Sequence, residues 1–328
     1  MEELLPFEKT ARNLLVKKES TTSNEFGCFP EQRKTSELID YGVICINKHQ
    51  GPTSHQVADY VKKILNVKHC GHGGSLDPNV TGVLPVALEN ATRISQTLLK
   101  AGKEYVALMY IHKDVEESKI LETTKKFTGK IKQIPPIKSA VKRQERTRNV
   151  YYFKILEINR RNVLFKIGCE AGTYIRKIIF DFGRDLKTGA HMAQLIRTKA
   201  GPFTDKEWYS LTDLKDAYSL YLEGDEKELR KIIKPIEFAI SHLPKIYVFD
   251  STVNNLCHGS QLYAAGISKL DSGIIKNDLV AVLTLKNELI SLGYAAMTSE
   301  EMLKAEKGLA VKAYKVFMKT DLYPRNIS

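Results

Sequence analysis

The chain has 328 residues, 43% of them hydrophobic, which argues against a disordered chain and leaves room for about two domains. Lysine and arginine number 50 against 38 aspartates and glutamates, and the formal net charge of +12 favours a polyanionic partner, nucleic acid first among them. The five cysteines are scattered with no Cys-x-x-Cys pair, which speaks against a disulfide framework and a zinc site, and no apolar run reaches the roughly 18 residues of a membrane span.

The opening residues mix acids and bases without an apolar signal core, so the chain is expected to stay where it is made, in the cytoplasm. Residues 1–39 are polar and mixed and read as a partly ordered extension. Regular structure is expected from Tyr41, where residues 41–47 (YGVICIN) have strand composition. Gly51 and Pro52 turn the chain, and Thr53 with Gln56 has capping-box spacing. Val57, Tyr60, Val61, Ile64 and Leu65 then recur at helical spacing.

Residues 71–82 are glycine-rich and predict a loop, ahead of a buried strand at 83–88. Residues 104–112 have strand composition, and 150–158 with 163–169 predict a strand pair joined by four polar residues. Ile175, Ile178, Ile179, Phe182 and Leu186 mark one face of a helix. Strands and helices alternate without regular βαβ spacing, which favours an α+β class over a doubly wound sheet. Residues 207–243 read as mainly helical, and Leu243-Pro244 as a boundary, because proline disfavours helix in the residue before it. Beyond it, short β-rich runs punctuated by Gly259, Gly266, Gly273 and Gly293 suit a small barrel. Thr298 with Glu301 offers a second capping box, and residues 311–318 a last strand. The domains expected are therefore 1–39, 40–243 and 244–328.

The glycine-rich loop lacks the Gly-Lys-Ser/Thr of a P-loop and the dinucleotide fingerprint. Its glycines lead instead to one carboxylate, Asp77, set before Pro78. Physics alone favours a turn aspartate that satisfies nearby N–H groups. The whole string GHGGSLDPNVTGVLPVAL (residues 71–88) strongly resembles the signature loop of the TruB family of pseudouridine synthases, which includes dyskerin. The resemblance implies that Asp77 is the essential catalytic residue.

The likeness runs on along the chain. Residues 41–57 resemble the family's first motif around Lys48, which the resemblance places at the active-site pocket, with Asn47 and His49 in place of its usual Asp and Pro. Residues 103–107 resemble the strand that supplies the active-site tyrosine, here Tyr105, and GTYIR (172–176) gives Tyr174 and Arg176. Residues 191–198 carry the apolar active-site position at Leu195, while Ile196 departs from the usual Arg. The basic positions Lys138, Lys142, Arg143, Arg146 and Arg148 near the two prolines would track phosphates, and Lys269 and Lys276 would do so in the C-terminal part. That part resembles a PUA domain through Cys257 to Ser260, Gly266, Asp278 to Val280 and Gly293. The fold implied is a pseudouridine synthase core, with a mixed, largely antiparallel sheet flanked by helices, plus a small barrel-like PUA domain on which the N-terminal extension packs.

Pseudouridine formation breaks a C–N glycosidic bond and rejoins the same base through carbon. A carboxylate can stabilise charge on the sugar, attack it, or help move a sugar proton, so an adduct and a glycal-like path both stay open. A poorly solvated pocket disfavours an ionised carboxylate, and Arg176, a permanent planar cation, is the natural remedy. Tyr105 would stack on the base, Tyr174 and Leu195 would line the pocket, and His72 would stand beside the flipped nucleotide. Alone, a strand tyrosine is core far more often than catalyst, and a charge run is usually a solvated face. The rearrangement has no net redox change, and neither cofactor nor metal is expected.

The likeness is greatest to archaeal guide-dependent members. It implies the catalytic subunit of an H/ACA ribonucleoprotein modifying uridines in ribosomal RNA, with tRNA as a further substrate. The partners implied are guide RNA, a small Nop-type protein, a glycine-arginine-rich-type protein and a kink-turn-binding ribosomal-type protein. A stand-alone synthase for uridine 55 of tRNA is the alternative enzyme, and a non-catalytic RNA scaffold the alternative class.

Overall fold

The computed structural model describes residues 3–135 and 142–324. Ahead of Tyr41 the chain already forms helix α1 (Pro6–Lys9), strand β1 (Leu14–Val16) and helix α2 (Thr35–Asp40). Regular structure thus begins earlier than the polar texture of the segment suggests.

Strands β2 (Gly42–Lys48), β3 (Cys70–His72), β4 (Thr81–Leu88), β5 (Lys103–Ile111), β6 (Gly129–Gln133), β7 (Arg146–Asn159), β8 (Asn162–Cys169), β9 (Ala190–Ala200), β10 (Phe203–Thr204) and β11 (Lys234–Pro235) form a ten-stranded mixed sheet. Its order is β11-β2-β4-β9-β5-β8-β7-β6, with β3 beside β4 and β10 beside β9. The centre is the parallel contact of β4 with β9, Thr81 opposite Ile196 and Gly82 opposite Arg197, between antiparallel neighbours on both sides.

Helices α3 (Ser54–Ile64), α4 (Ser95–Lys100), α5 (Glu117–Lys126), α6 (Ile175–Asp185), α7 (Leu211–Leu222) and α8 (Lys227–Ile232) flank this sheet. Residues 82–88 of β4 are all buried, as a central strand covered on both faces requires. β5 alternates, with Ala107, Met109 and Ile111 buried and Val106, Leu108 and Tyr110 partly exposed. The helix face expected from Ile175 to Leu186 is buried against Met109, Phe165 and Ile167. Val57 and Val61 of α3 pack with Ile44, Ile46, Leu84 and Val86. The stretch 207–243 is less helical than expected, because β11 leaves α8 to join the sheet edge opposite β2.

After Pro244 a second, seven-stranded sheet follows, built from β12 (Lys245–Val248), β13 (Leu262–Tyr263), β14 (Ile267–Asp271), β15 (Leu279–Leu283), β16 (Leu289–Ala295) and β17 (Leu309–Val316), with helices α9 (Asp250–Cys257) and α10 (Ser299–Lys304). Its seventh strand is β1, in the order β1-β14-β12-β15-β16-β17-β13. Leu14, Leu15 and Val16 lie opposite Asp271, Leu270 and Lys269. The rest of the extension is tied down by buried polar groups. Asp250 accepts hydrogen bonds from Thr22 Oγ1 and Ser23 N, and Lys286 Nζ donates to Ser23 O at 2.7 Å and to Phe26 O. Order in the extension is therefore tertiary in origin. A third core joins the sheets, with Val43, Ala91 and Ile236 packed against Ala281, Leu283, Leu292 and Phe317.

Candidate active site

The loop from Gly73 to Val80 is held almost entirely through its backbone. Gly73 N donates to Pro85 O at 2.8 Å. Leu76 N donates to Ser54 Oγ at 2.8 Å, and the same hydroxyl donates to Leu76 O. Ser54 is fixed because Thr53 caps α3, its hydroxyl accepting from Gln56 N. Val80 N donates to Asp77 O at 2.9 Å, closing a turn with proline in its favoured second position. Lys48, fully buried at the end of β2, donates through Nζ to Pro78 O at 3.1 Å, Val80 O at 2.8 Å and His49 O at 3.0 Å. Gly82 has φ +108°, and a Cβ there would stand 2.2 Å from Arg197 O, so only glycine lets β4 approach β9 this closely.

This scaffold leaves the Asp77 side chain 55% exposed, and its Oδ2 is ion-paired with Nη2 of Arg176. Arg176 stands in the first turn of α6. The start of that helix is pinned by Gln133, whose amide donates to Tyr174 O and accepts from Tyr174 N, both at 3.1 Å. Leu76, Val80, Ile175 and Leu195 share one core cluster, and Tyr105 packs against it. Asp77 and Arg176 are thus brought together, beside a core cluster that contains Leu195 and against which Tyr105 packs. Burial pushes the Tyr105 phenol up, opposed by the neighbouring Arg197 guanidinium.

Other expected positions fall elsewhere. Lys48 is beneath the loop rather than in the pocket. His72 lines a cavity of about 570 Å³ on the α3 side, with His55, Lys62, Lys68 and Ser95; Asp77 is not part of that lining. Its ring lies 4.6 Å from that of His55, and burial pulls its pKa down to about 4, helped by His55 and Arg197, so it is neutral at pH 7. Lys138 lies outside the described residues. Lys142 and Arg143 are exposed, Arg146 is half-buried, and Arg148 packs on Gly172 and approaches Glu170 at 3.7 Å. Lys269 is flanked by β1 and β12, and Lys276 is paired with Glu301 at 2.8 Å. Among the described residues no group of three or more His, Cys, Asp or Glu side chains could hold a metal ion.

The sequence reading missed Arg197. This residue is 1% exposed, and its guanidinium donates to Val83 O at 2.7 Å, Gly74 O at 3.1 Å and Ser75 O at 3.4 Å. The signal was available: strand periodicity puts residue 197 on the same face as the buried Leu195.

Buried Lys103 is a neighbouring cation. Its Nζ donates to Leu98 O, Leu99 O and Ala101 O at 2.9, 2.8 and 2.7 Å. Burial, and then Arg197, pull its pKa down to about 7 from an ordinary 10.5. Between those values the unfolded chain binds more protons, so this lysine's contribution to stability is present above about pH 10.5 and is lost as pH falls through about 7. Thermal unfolding from pH 7 to 10 is expected to show wild type gaining on Lys103→Met as pH rises; a difference independent of pH would refute this.

The structure thus defines a mixed sheet, flanked by helices, that presents an arginine-paired aspartate, followed by a small β-rich domain with a sheet of its own. The model described as TruB family pseudouridylate synthase (N terminal domain) matches residues 62–175, tRNA pseudouridylate synthase B C-terminal domain matches 176–241, PUA domain 244–317 and DKCLD (NUC011) domain 2–58. The chain is 54% identical over 317 residues to the "Probable tRNA pseudouridine synthase B" of Pyrococcus horikoshii, covering 96% of this chain and 95% of that one. It is 49% identical to the protein of the same name from Methanothermobacter thermautotrophicus, covering 95% and 97%. Among solved structures, one chain of a Cbf5-Nop10-Gar1 complex superposes with a TM-score of 0.94 at 52% identity, covering 98% of both chains. A chain of an H/ACA RNP bound to a substrate RNA containing 2'-deoxyuridine does so with a TM-score of 0.92 at 50% identity, covering 98% and 99%. The chain belongs to the TruB family of pseudouridine synthases; it is an RNA pseudouridine synthase with a PUA domain.

Proposed function

We propose that this synthase is the catalytic subunit of an H/ACA guide ribonucleoprotein of the archaeal kind, converting chosen uridines of ribosomal RNA, and of tRNA, to pseudouridine. The observation that carries this reading is the end-to-end likeness to chains solved in assemblies with Nop10, Gar1 and H/ACA RNA, which includes the N-terminal segment built into the second sheet. Guide RNA would choose the uridine by base pairing. The partners would be small proteins of the Nop10 and Gar1 kinds and a kink-turn-binding protein, and the PUA domain would hold the guide's end. Residues 1–39, 40–243 and 244–328 would serve as extension, catalytic domain and RNA-binding domain.

In the site, the flipped uridine would sit with its sugar toward Asp77 and its base against Tyr105, between Tyr174 and Leu195. The N1–C1′ bond breaks, the uracil turns, C5 bonds to C1′, the C5 proton leaves and N1 gains one. Asp77 stabilises the electron-poor sugar while the base is free, and Arg176 keeps the carboxylate ionised as RNA excludes water. Exposed Lys142 and Arg143, the partly buried Arg146 and Arg148, and Lys138 would follow phosphates.

A second reading, a guide-independent enzyme acting on tRNA, is favoured by the names of the relatives. The two separate in one assay: pseudouridine formation in a defined ribosomal RNA fragment and in a tRNA, with and without guide RNA and partner proteins. The ribosomal fragment is expected to be modified only in the full assembly. Equal modification of that fragment by the chain alone would overturn the guided reading.

A further inference from the structure

The loop that presents Asp77 has its carbonyls tied to fixed donors. Pro78 O and Val80 O face Lys48, Leu76 O faces Ser54, and Gly74 O with Ser75 O face Arg197. Lys48 touches this loop and its own neighbour His49, whereas Arg197 also reaches β4 at Val83 O and lies beside Tyr105 on the neighbouring strand. Arg197 and Tyr105 are ladder partners on β9 and β5, so their side chains are neighbours across the sheet. The guanidinium's acceptors are backbone carbonyls, and among the described residues no carboxylate is ion-paired with it. A buried cation without an anion is a poor source of stability, and an apolar side chain of similar volume often does as well. What an apolar chain cannot supply is a rigid fork bonded to the loop and to β4 while it stands beside the phenol.

We propose that Arg197 is a positioning residue for the isomerisation, one planar group that sets the backbone behind Asp77 and the hydroxyl of Tyr105 in a common frame. The inference rests on the roles of Asp77 and Tyr105 given under the proposed function. Carboxylate and phenol must meet the same nucleotide, one at the sugar and the other at the base. A misplacement of about 1 Å is enough to lose about 100-fold in rate. Lysine at this position keeps the charge but concentrates its donors at one point, so it cannot span β4 and the loop while it stands beside the phenol.

The test is a double-mutant cycle on the full chain, in whichever assembly gives wild-type activity, by single-turnover rates at saturating RNA. Arg197→Lys is expected to slow conversion about 100-fold, with RNA affinity within about threefold and cooperative thermal unfolding. In a Tyr105→Phe background the same change is expected to lose at least about tenfold less, since its effect travels through the phenol. A near-wild-type rate overturns the proposal, as does an equal loss in both backgrounds or a loss matched by weakened RNA binding. Should Arg197→Lys fail to fold, Arg197→Gln, with one amide donor, takes its place in the cycle. Asp77→Asn is run beside these variants: activity there removes the site itself, whereas a dead Asp77→Asn with an indifferent Arg197→Lys removes this inference alone.

Discussion

Asp77→Asn is expected to lower pseudouridine formation by at least about 1000-fold, as removal of a group that acts on the reacting bond does. The substitution keeps shape and removes charge. The loop does not depend on that charge for its conformation, because its hydrogen bonds run from backbone to Lys48, Ser54 and Arg197. The Asp77 side chain is half exposed, and its ion pair is with the likewise half-exposed Arg176. A pair so open to water contributes at most about 1 kcal/mol to folding. Thermal unfolding should therefore move little, and RNA affinity should stay within a few-fold. Tritium release from C5-labelled uridine follows the chemistry directly, since the C5 proton leaves during rearrangement. Release by Asp77→Asn at more than a tenth of the wild-type rate would end the assignment of the carboxylate, and a large loss of RNA binding would show that residue 77 serves affinity instead.

The parts of this molecule legible in the sequence are those set by local periodicity or by an unbroken motif. The face from Ile175 to Leu186 is buried as its spacing requires, and Thr53 and Thr298 cap the helices their boxes announce. Residues 71–88 point to the loop through their unbroken resemblance to the family's signature, since physics alone favours a turn aspartate there. What was not legible depends on partners distant in sequence. β1 is three residues whose mates are residues 269–271, and no local pattern marks them. The carbonyls that close around Lys48 and Arg197 come from segments distant in sequence, and no local pattern names them. The surroundings of His72 were not legible either: its ring packs edge-on against that of His55 and lines a cavity with residues of α3. The pairing of the basic positions was equally unreadable, since Arg148 approaches Glu170 and Lys276 pairs with Glu301.

Arg176→Met is expected to lower the rate on the order of 100-fold while leaving the melting temperature nearly unchanged. The contrast follows from where the pair stands. Both side chains are a little over half exposed, and water screens the attraction. Arg176 also stands in the first turn of α6, where a cation opposes the helix macrodipole by about 0.3–1 kcal/mol. These terms nearly cancel, so folding gains little from the ion pair. Once a flipped nucleotide covers the pocket, the local dielectric falls and the same pair strengthens at the moment an ionised Asp77 is needed. Arg176→Lys separates charge from shape: it should recover part of the rate, because a point charge can neutralise Asp77 but cannot reproduce a planar fork. Rates measured on saturating RNA, with unfolding curves for all three proteins, decide the matter. If Arg176→Met lowers stability by several kilocalories per mole, or leaves the rate intact, the guanidinium is a structural strut and the account of how Asp77 stays charged is wrong.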